Sequence, residues 1–226
     1  MSLGKKFTFL GIGLLAAAVL FTVMVAGIDV RPIGPNNSSV GLAGLNIAFA
    51  DAFFADVPGV FTKNAVLYGI SEFGGVLAII TALAFAALGL YQLIKRKSLF
   101  KVDYCVLSMG LLFIVVGVLY VLFDKFAINY RPVLEADKTL EASFPSSHTL
   151  LAVCIFIPAV FAVGRVISDR RISFLISTIL AFLAVMVVIC RLFSGVHWLS
   201  DMIGGGLYSG ALVCIYIGAN LIYELK

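Results

Sequence analysis

Six apolar runs limit what this chain can fold into more than any other feature. Hydrophobic residues make up 62% of its 226 residues and charged residues only 12%, whereas soluble domains are roughly half apolar. About 20 residues at ~1.5 Å rise per residue span the hydrocarbon core of a bilayer. The runs therefore predict an all-α integral membrane bundle of six transmembrane helices, with a single domain over residues 1–226. They cover about 7–27, 69–94, 102–123, 149–164, 172–190 and 202–223.

Two of the runs need comment. The fourth is the shortest, and we expect its helix to begin one turn earlier, at Ser146. The first follows Lys5 and Lys6, so a cleaved signal peptide is the alternative interpretation. Its apolar stretch of about 20 residues is longer than the ~7–15 of a signal core. We therefore interpret it as a first membrane helix; a mature N-terminus near Ile28 would contradict this.

The distribution of Lys and Arg predicts the orientation, because cytoplasmic loops are enriched in these residues. With a cytoplasmic N-terminus, the inner side holds ten of the 16: Lys5, Lys6, Lys95, Arg96, Lys97, Lys101, Arg165, Arg170, Arg171 and Lys226. The outer side holds the other six: Arg31, Lys63, Lys125, Arg131, Lys138 and Arg191. Both termini are therefore predicted to be cytoplasmic. Basic inner loops account for the net charge of +4 without a nucleic-acid partner.

The long loop after the first run contains a further helical pattern. Leu42, Leu45, Phe49 and Phe53 recur at helical spacing, which predicts a short helix on the outer bilayer surface. Such a helix could cover or rim a lipid site, although anchoring the loop is the simpler role.

Small residues suggest where the helices pack. In "GGGLYSG" at 204–210, Gly206 and Gly210 have the spacing that allows close helix approach. One cysteine falls in each of the last four runs, without metal-like spacing, and packing is their expected role. These are Cys105, Cys154, Cys190 and Cys214.

Polar residues concentrate in three segments where outer loops meet the runs. These segments are "KFAINYRP" (125–132), "FPSSH" (144–148) and "RLFSGVHWLSD" (191–201). Lys125, Arg131 and Arg191 thus lie on the side where few cations are expected. Arginine's planar fork suits phosphate oxygens, and lysine adds a point charge. The simplest reason for three cations here is an anionic, phosphorylated ligand.

The only two histidines lie in the same segments and suggest catalysis. His197 and Asp201 are four residues apart, which on a helix places both on one face. The carboxylate can fix the imidazole tautomer and leave the other nitrogen free to attack phosphorus. His148 is then the candidate to protonate the leaving alcohol and later to activate water. The chemical alternative is a zinc site of two histidines and an aspartate, although nearby cations would repel the ion.

The three segments resemble the motifs of the type-2 phosphatidic acid phosphatase superfamily, which are KxxxxxxRP, PSGH and SRxxxxxHxxxD in that order. The corresponding stretches are "KFAINYRP", "PSSH" and "CRLFSGVHWLSD", within a motif-bearing core of about 102–223. The resemblance implies a nucleophile (His197), its orienting partner (Asp201), an acid and base (His148) and no metal or other cofactor. It also implies phosphate ligands, namely Arg131 and Arg191 with help from Ser146.

The sequence departs from the family pattern at two positions. Only five residues separate Lys125 from Arg131, where the pattern has six, and Asp124 occupies the expected lysine position. One residue on a helix means ~100° of rotation, which Lys125 can absorb if the chain unwinds before Pro132. Ser147 replaces the motif's glycine; it alters any backbone role of that glycine and can add a phosphate contact.

Together these features predict a metal-independent phosphatase of a bacterial-type plasma membrane, acting at the extracytoplasmic face. The expected substrate is a lipid phosphate or pyrophosphate, such as isoprenyl pyrophosphate, phosphatidylglycerol phosphate or phosphatidate. Expected partners are this substrate and membrane lipids. The alternatives are a phospholipid or phosphate transporter or binding protein, which would not need a His–Asp pair, and a lipid phosphotransferase.

Overall fold

The computed structural model describes residues 1–54, 62–134 and 139–225. Lys138 and Lys226, which entered the charge count, lie outside these residues. The described part of the chain forms seven α-helices and two short 3₁₀ turns, with isolated β-bridges in place of a sheet. The helices are α1 (Leu3–Gly27), α2 (Ala43–Phe53), α3 (Ala65–Arg96), α4 (Tyr104–Lys125), α5 (Ser147–Val166), α6 (Arg170–Leu192) and α7 (Leu199–Tyr223).

Six of these helices are long and apolar enough to cross a membrane, which confirms the six predicted spans. Each of the six runs corresponds to one of them, and α2 is the additional short helix. The early start of the fourth span is also correct. Ser146 precedes α5, and its hydroxyl accepts a hydrogen bond from the Thr149 amide as a helix cap.

The bundle is built around α5 and α7. Of the most apolar stretch of each span, 56% of residues are buried in α5 and 50% in α7, against 17–22% in the other four. The four outer helices therefore direct most of their side chains toward lipid. All four cysteines are free, and Cys105, Cys154 and Cys190 are buried.

The close contact between α1 and α7 uses different glycines from those predicted. A Cβ on Gly218 would lie 2.4 Å from Thr8 Oγ1, and one on Gly4 would lie 2.9 Å from the Gly218 carbonyl. Among the described residues outside its own helix, no atom would lie within 4 Å of a Cβ on Gly206, and a Cβ on Gly210 would meet Leu14 Cδ1 at an ordinary 3.7 Å. The segment "GGGLYSG" does pack closely, but at Gly204 against Phe144 and at Gly205, where a Cβ would lie 3.0 Å from the Ser146 carbonyl. The choice of Gly206 and Gly210 was wrong, because the spacing does not tell which helix face meets a neighbour.

The short helix α2 is confirmed, and its buried residues are Ala43, Asn46 and Ala50. Asn46 is buried; its amide donates to the Gly41 carbonyl and to Ser200 Oγ, and its oxygen accepts from the Ser200 amide. Leu45 and Phe53 are exposed. Asn46 thus fastens the helix to the start of α7, and the rings of Phe49 and Phe53 lie 6.4 and 5.4 Å from that of Phe193.

Candidate active site

The three polar segments meet at one end of the bundle, the end away from the chain termini. The Trp198 indole N–H donates to the Tyr130 carbonyl at 2.7 Å, which ties the third segment to the first. The Ser146 amide donates to the Asp201 carbonyl at 3.0 Å, which ties the second segment to the third. Segments that are distant in sequence therefore form one site.

His197 and Asp201 form a buried pair at the start of α7. His197 Nδ1 lies 3.5 Å from Asp201 Oδ2, an ion-pair distance longer than a strong hydrogen bond, and both side chains are at most 1% exposed. The Trp198 amide donates to the same carboxylate oxygen at 2.9 Å. His197 Nε2 is buried without a hydrogen-bond partner in the described part of the chain.

A buried asparagine holds the other oxygen of this carboxylate. Asn129 Nδ2 lies 3.2 Å from Asp201 Oδ1 and 3.3 Å from Ser200 Oγ. Asn129 Oδ1 accepts from the Gly41 amide at 3.0 Å. One side chain thus links the first segment, the first loop and the start of α7. Asn129 was not among the site residues predicted from the sequence.

Arg191 is completely buried at the end of α6 and is anchored by one edge. Its Nη1 donates to Glu72 Oε1 at 2.8 Å and to Ser71 Oγ at 3.3 Å, both on α3. Its Nε and Nη2 have no hydrogen-bond partner among the described residues. These two nitrogens form the planar fork that matches two oxygens of a phosphate. One edge of the guanidinium is therefore held by α3, and the other edge is buried and unpaired.

The second histidine contacts the same carboxylate on α3. His148 Nε2 lies 3.2 Å from Glu72 Oε1, and its side chain is 18% exposed. His148 Nδ1 is buried and has no partner within the described ranges. Neither Ser71 nor Glu72 was predicted from the sequence. Glu72 could have been, because it is the one acidic residue of α3, and an ionisable residue within a membrane span is a candidate for function.

Lys125, Arg131 and Ser147 line a cavity of about 520 Å³ between the end of α4 and the start of α5. Arg131 is mostly buried, and its Nη2 lies 3.0 Å from Glu141 Oε2. Lys125 is exposed. It is the last residue of α4, and the chain is not helical from Phe126 to Pro132. The expected unwinding before the proline is therefore present, and the shortened spacing imposes no helical rotation on Arg131.

The structure also defines the backbone at three candidate positions. Ser147 begins α5 in helical conformation, so replacing the motif's glycine produces no positive φ. Ser146 Oγ is engaged as the cap of α5 and with Thr149 Oγ1 at 3.1 Å. Gly195 has a φ of 74°, and a Cβ there would lie 2.4 Å from the Thr62 carbonyl. Only glycine fits that turn between α6 and α7.

The surroundings of His197 keep its imidazole neutral. Burial holds the pKa of His197 well below its ordinary value, and the positive charges of Arg191 and Arg131 lower it further. The imidazole is therefore neutral near pH 7, the form in which a ring nitrogen can act as a nucleophile. Two arginines from different segments thus act on one histidine.

No curated protein matches the chain. Among solved structures, the fold resembles the crystal structure described as the first transmembrane PAP2 type phosphatidylglycerolphosphate phosphatase from Bacillus subtilis. The TM-score is 0.58 at 20% identity, covering 96% of this chain and 97% of that one. At this identity the likeness concerns the fold.

The sequence itself matches the model of the PAP2 superfamily over residues 101–221. This stretch is more than half of the chain and contains all three polar segments, from Lys125 to Asp201. The resemblance inferred from the motifs is therefore confirmed, and the protein belongs to the PAP2 superfamily.

Proposed function

We propose that this protein is a membrane phosphatase that removes a phosphate from a lipid through a phosphohistidine intermediate. One observation carries the proposal: among the described residues, His148 Nδ1 and His197 Nε2 are buried atoms without a hydrogen-bond partner, and Arg191 Nε and Nη2 are unpaired as well. A site that only bound phosphate would need the arginine but not this pair of nitrogens.

In the first step, His197 Nε2 attacks phosphorus, and the bond from phosphorus to the lipid oxygen breaks. His148 Nδ1 donates a proton to that leaving oxygen. Asp201 orients the attacking ring and stabilises the positive charge that develops on it. The nitrogen–phosphorus bond holds the phosphoryl group until water replaces it.

In the second step, water attacks the phosphohistidine, and His148 accepts a proton from the water. The nitrogen–phosphorus bond breaks and inorganic phosphate leaves. Arg191 and Arg131 neutralise the phosphoryl oxygens in both transition states. The first residues of α5, including Ser147, add the positive end of a 20-residue helix. With a pyrophosphate, the leaving oxygen belongs to the lipid monophosphate.

The cavity beside the site suits the lipid part of the substrate. Its lining combines the polar Lys125 and Ser147 with the apolar Leu119, Phe123 and Leu150. A phosphorylated headgroup can lie at the polar end while its chains lie along α4 and α5. We propose that the site faces the outer leaflet and that both termini are cytoplasmic, because that orientation places ten of the 16 basic residues inside.

The first substrate to test is phosphatidylglycerol phosphate, because the B. subtilis protein of similar fold is a phosphatidylglycerolphosphate phosphatase. Phosphatidate and isoprenyl pyrophosphate complete the panel. Each lipid is assayed for phosphate release with purified protein in the presence of a metal chelator. We expect release to continue in chelator, because cations of the chain neutralise the phosphate; loss of release that zinc restores would contradict metal independence.

His197→Ala is the decisive variant, and Asn220→Ala is its control. Asn220 is buried near the opposite end of the bundle, so its loss perturbs packing without touching the site. We expect no phosphate release from His197→Ala above the rate without protein and near-native release from the control. Release at the native rate from His197→Ala would refute the mechanism. Transfer of the phosphate to an added alcohol, detected as a new phosphate ester, would instead indicate a phosphotransferase.

A further inference from the structure

Glu72 is a carboxylate within a membrane-spanning helix, and it lies outside the stretch that matches the family. It belongs to α3, whereas the match begins at residue 101. An ionisable side chain within a span is unfavourable unless it is paired, and it is therefore a candidate for function. A single oxygen of Glu72, Oε1, lies 3.2 Å from His148 Nε2 and 2.8 Å from Arg191 Nη1.

We propose that Glu72 is the positioning residue of His148, in the way that Asp201 is for His197. This inference rests on the proposed function and deepens it. The Glu72 carboxylate accepts the Nε2 hydrogen of His148, which fixes the ring tautomer and directs Nδ1 toward the phosphoryl site. Each histidine of the mechanism then has its own carboxylate, one from α7 and one from α3.

The contact with Arg191 shows that the carboxylate does not occupy the phosphate position. Glu72 binds Nη1, whereas Nε and Nη2 are the nitrogens without a partner. A phosphate can therefore bind the open fork while Glu72 keeps its contacts with both residues. The carboxylate supports the acid that donates the proton without competing with the substrate.

Gly75, on the same helix as Glu72, leaves the space that the His148 ring occupies. A Cβ on Gly75 would lie 3.2 Å from both Cδ2 and Nε2 of His148. This distance is tighter than an ordinary contact, so a methyl group would push the ring away from its position. The surface of α3 therefore fixes His148 in two ways, by the hydrogen bond to Glu72 and by the space at Gly75.

The test separates turnover from phosphate binding. Glu72→Gln keeps an oxygen that can accept both hydrogen bonds but removes the negative charge that stabilises the protonated ring. We expect kcat for the best lipid phosphate to fall about tenfold, since general acid–base catalysis contributes about 10²–10⁴-fold and the histidine remains. The Kd of inorganic phosphate, measured by titration calorimetry, should stay within about twofold of native or become lower. A structural role would instead raise this Kd as kcat falls.

A second pair of variants tests the same inference without a change of charge. Gly75→Ala should lower kcat at unchanged phosphate Kd, whereas Gly69→Ala should have no effect, because no atom of the described residues outside α3 would lie within 4 Å of a Cβ there. Gly69 lies on the same helix, so the pair controls for the general effect of alanine in α3. If Glu72→Gln does not fold, Gly75→Ala and Gly69→Ala still test the proposed positioning of His148 by α3.

A double substitution shows whether Glu72 acts through His148. In the His148→Ala background, Glu72→Gln should change kcat by less than about twofold, because the group that it positions is already absent. A tenfold loss in that background, a native kcat in Glu72→Gln, or a parallel loss of kcat and phosphate binding would each overturn the inference. If His197→Ala were as active as the native protein, the proposed function would fail instead. If Glu72→Gln has the native kcat while His197→Ala is inactive, only the role proposed for Glu72 is contradicted, and the proposed function still holds.

Discussion

Replacing Asn129 with alanine should destabilise the bundle and slow turnover, because this buried amide holds three groups of the site. It accepts a hydrogen bond from the Gly41 amide and donates to Ser200 and Asp201. Alanine leaves the buried Gly41 N–H without a partner, which costs about 1–3 kcal/mol. A hydrogen bond to a charged group such as the Asp201 carboxylate contributes about 1.5–3 kcal/mol more.

Together these losses lower the free energy of unfolding by roughly 2.5–6 kcal/mol. For a chain of this size, about 1 kcal/mol shifts Tm by ~2–4 °C, so we expect Tm to decrease by roughly 5–25 °C. The chain carries its own reporter, since Cys105, Cys154 and Cys190 are buried and free. A thiol-reactive dye that fluoresces on reaction will record their exposure as the detergent-solubilised protein is heated.

The functional part of the prediction needs a matched control, which Asn220 provides. This asparagine is 2% exposed, and its amide donates to Ser108 Oγ and to the Tyr216 carbonyl, far from the histidines. Asn220→Ala should also lower Tm but leave kcat within about twofold of native, whereas Asn129→Ala should lower kcat at least tenfold at a temperature where both are folded. Equal kcat values in the two variants would refute our view that Asn129 holds Asp201 in its working position.

Three further predictions concern stability, and the same dye assay measures them. Gly195→Ala should lower Tm by several degrees, because alanine is strained at a φ of 74° and meets a carbonyl oxygen at 2.4 Å, whereas Gly206→Ala, with open space around it, should not. Gly218→Val should separate α1 from α7 and lower Tm more than Gly13→Val, because a Cβ on Gly13 would meet no atom within 4 Å in the described part of the chain outside α1. Because the pKa of His197 is lowered in the folded state, the unfolded state binds the extra proton, so Tm should fall as the pH drops below about 6.5. Tm should fall less steeply with decreasing pH in His197→Gln. An equal slope of Tm against pH in the two proteins would contradict a lowered pKa of His197.

The fold was predictable because membrane spans depend on a local property. A stretch of about 20 apolar residues must satisfy its backbone hydrogen bonds internally once it enters lipid, and only a helix does so within one segment. Each run therefore marked a helix, to within a few residues at either end. The packing of the helices was less predictable. The seam proposed at Gly206 and Gly210 was wrong, because a spacing of four places two glycines on one face without telling what that face meets.

The residues placed in the site from sequence share one property: they lie in short polar segments at the ends of apolar runs. His197 and Asp201 could also be paired, since four residues on a helix bring side chains together. Asn129 lies in the first of these segments, but nothing local distinguishes it from its neighbours. Its partners lie 88 and 72 positions away, at Gly41 and Asp201. Such a contact exists only after the loop, α4 and α7 have packed.

Glu72 shows where the reasoning from sequence could have gone further and where it could not. A lone carboxylate in an apolar run has to be neutralised, so the run at 69–94 itself predicts a partner for it. Two cationic candidates, Arg131 and Arg191, were already assigned to phosphate, and a guanidinium has donors on more than one edge. One arginine can therefore serve a carboxylate and a phosphate together, as Arg191 does by binding Glu72 through Nη1. Which arginine and which histidine Glu72 meets depends on how α3 packs against α5 and α6, and that follows from the shape of the whole bundle.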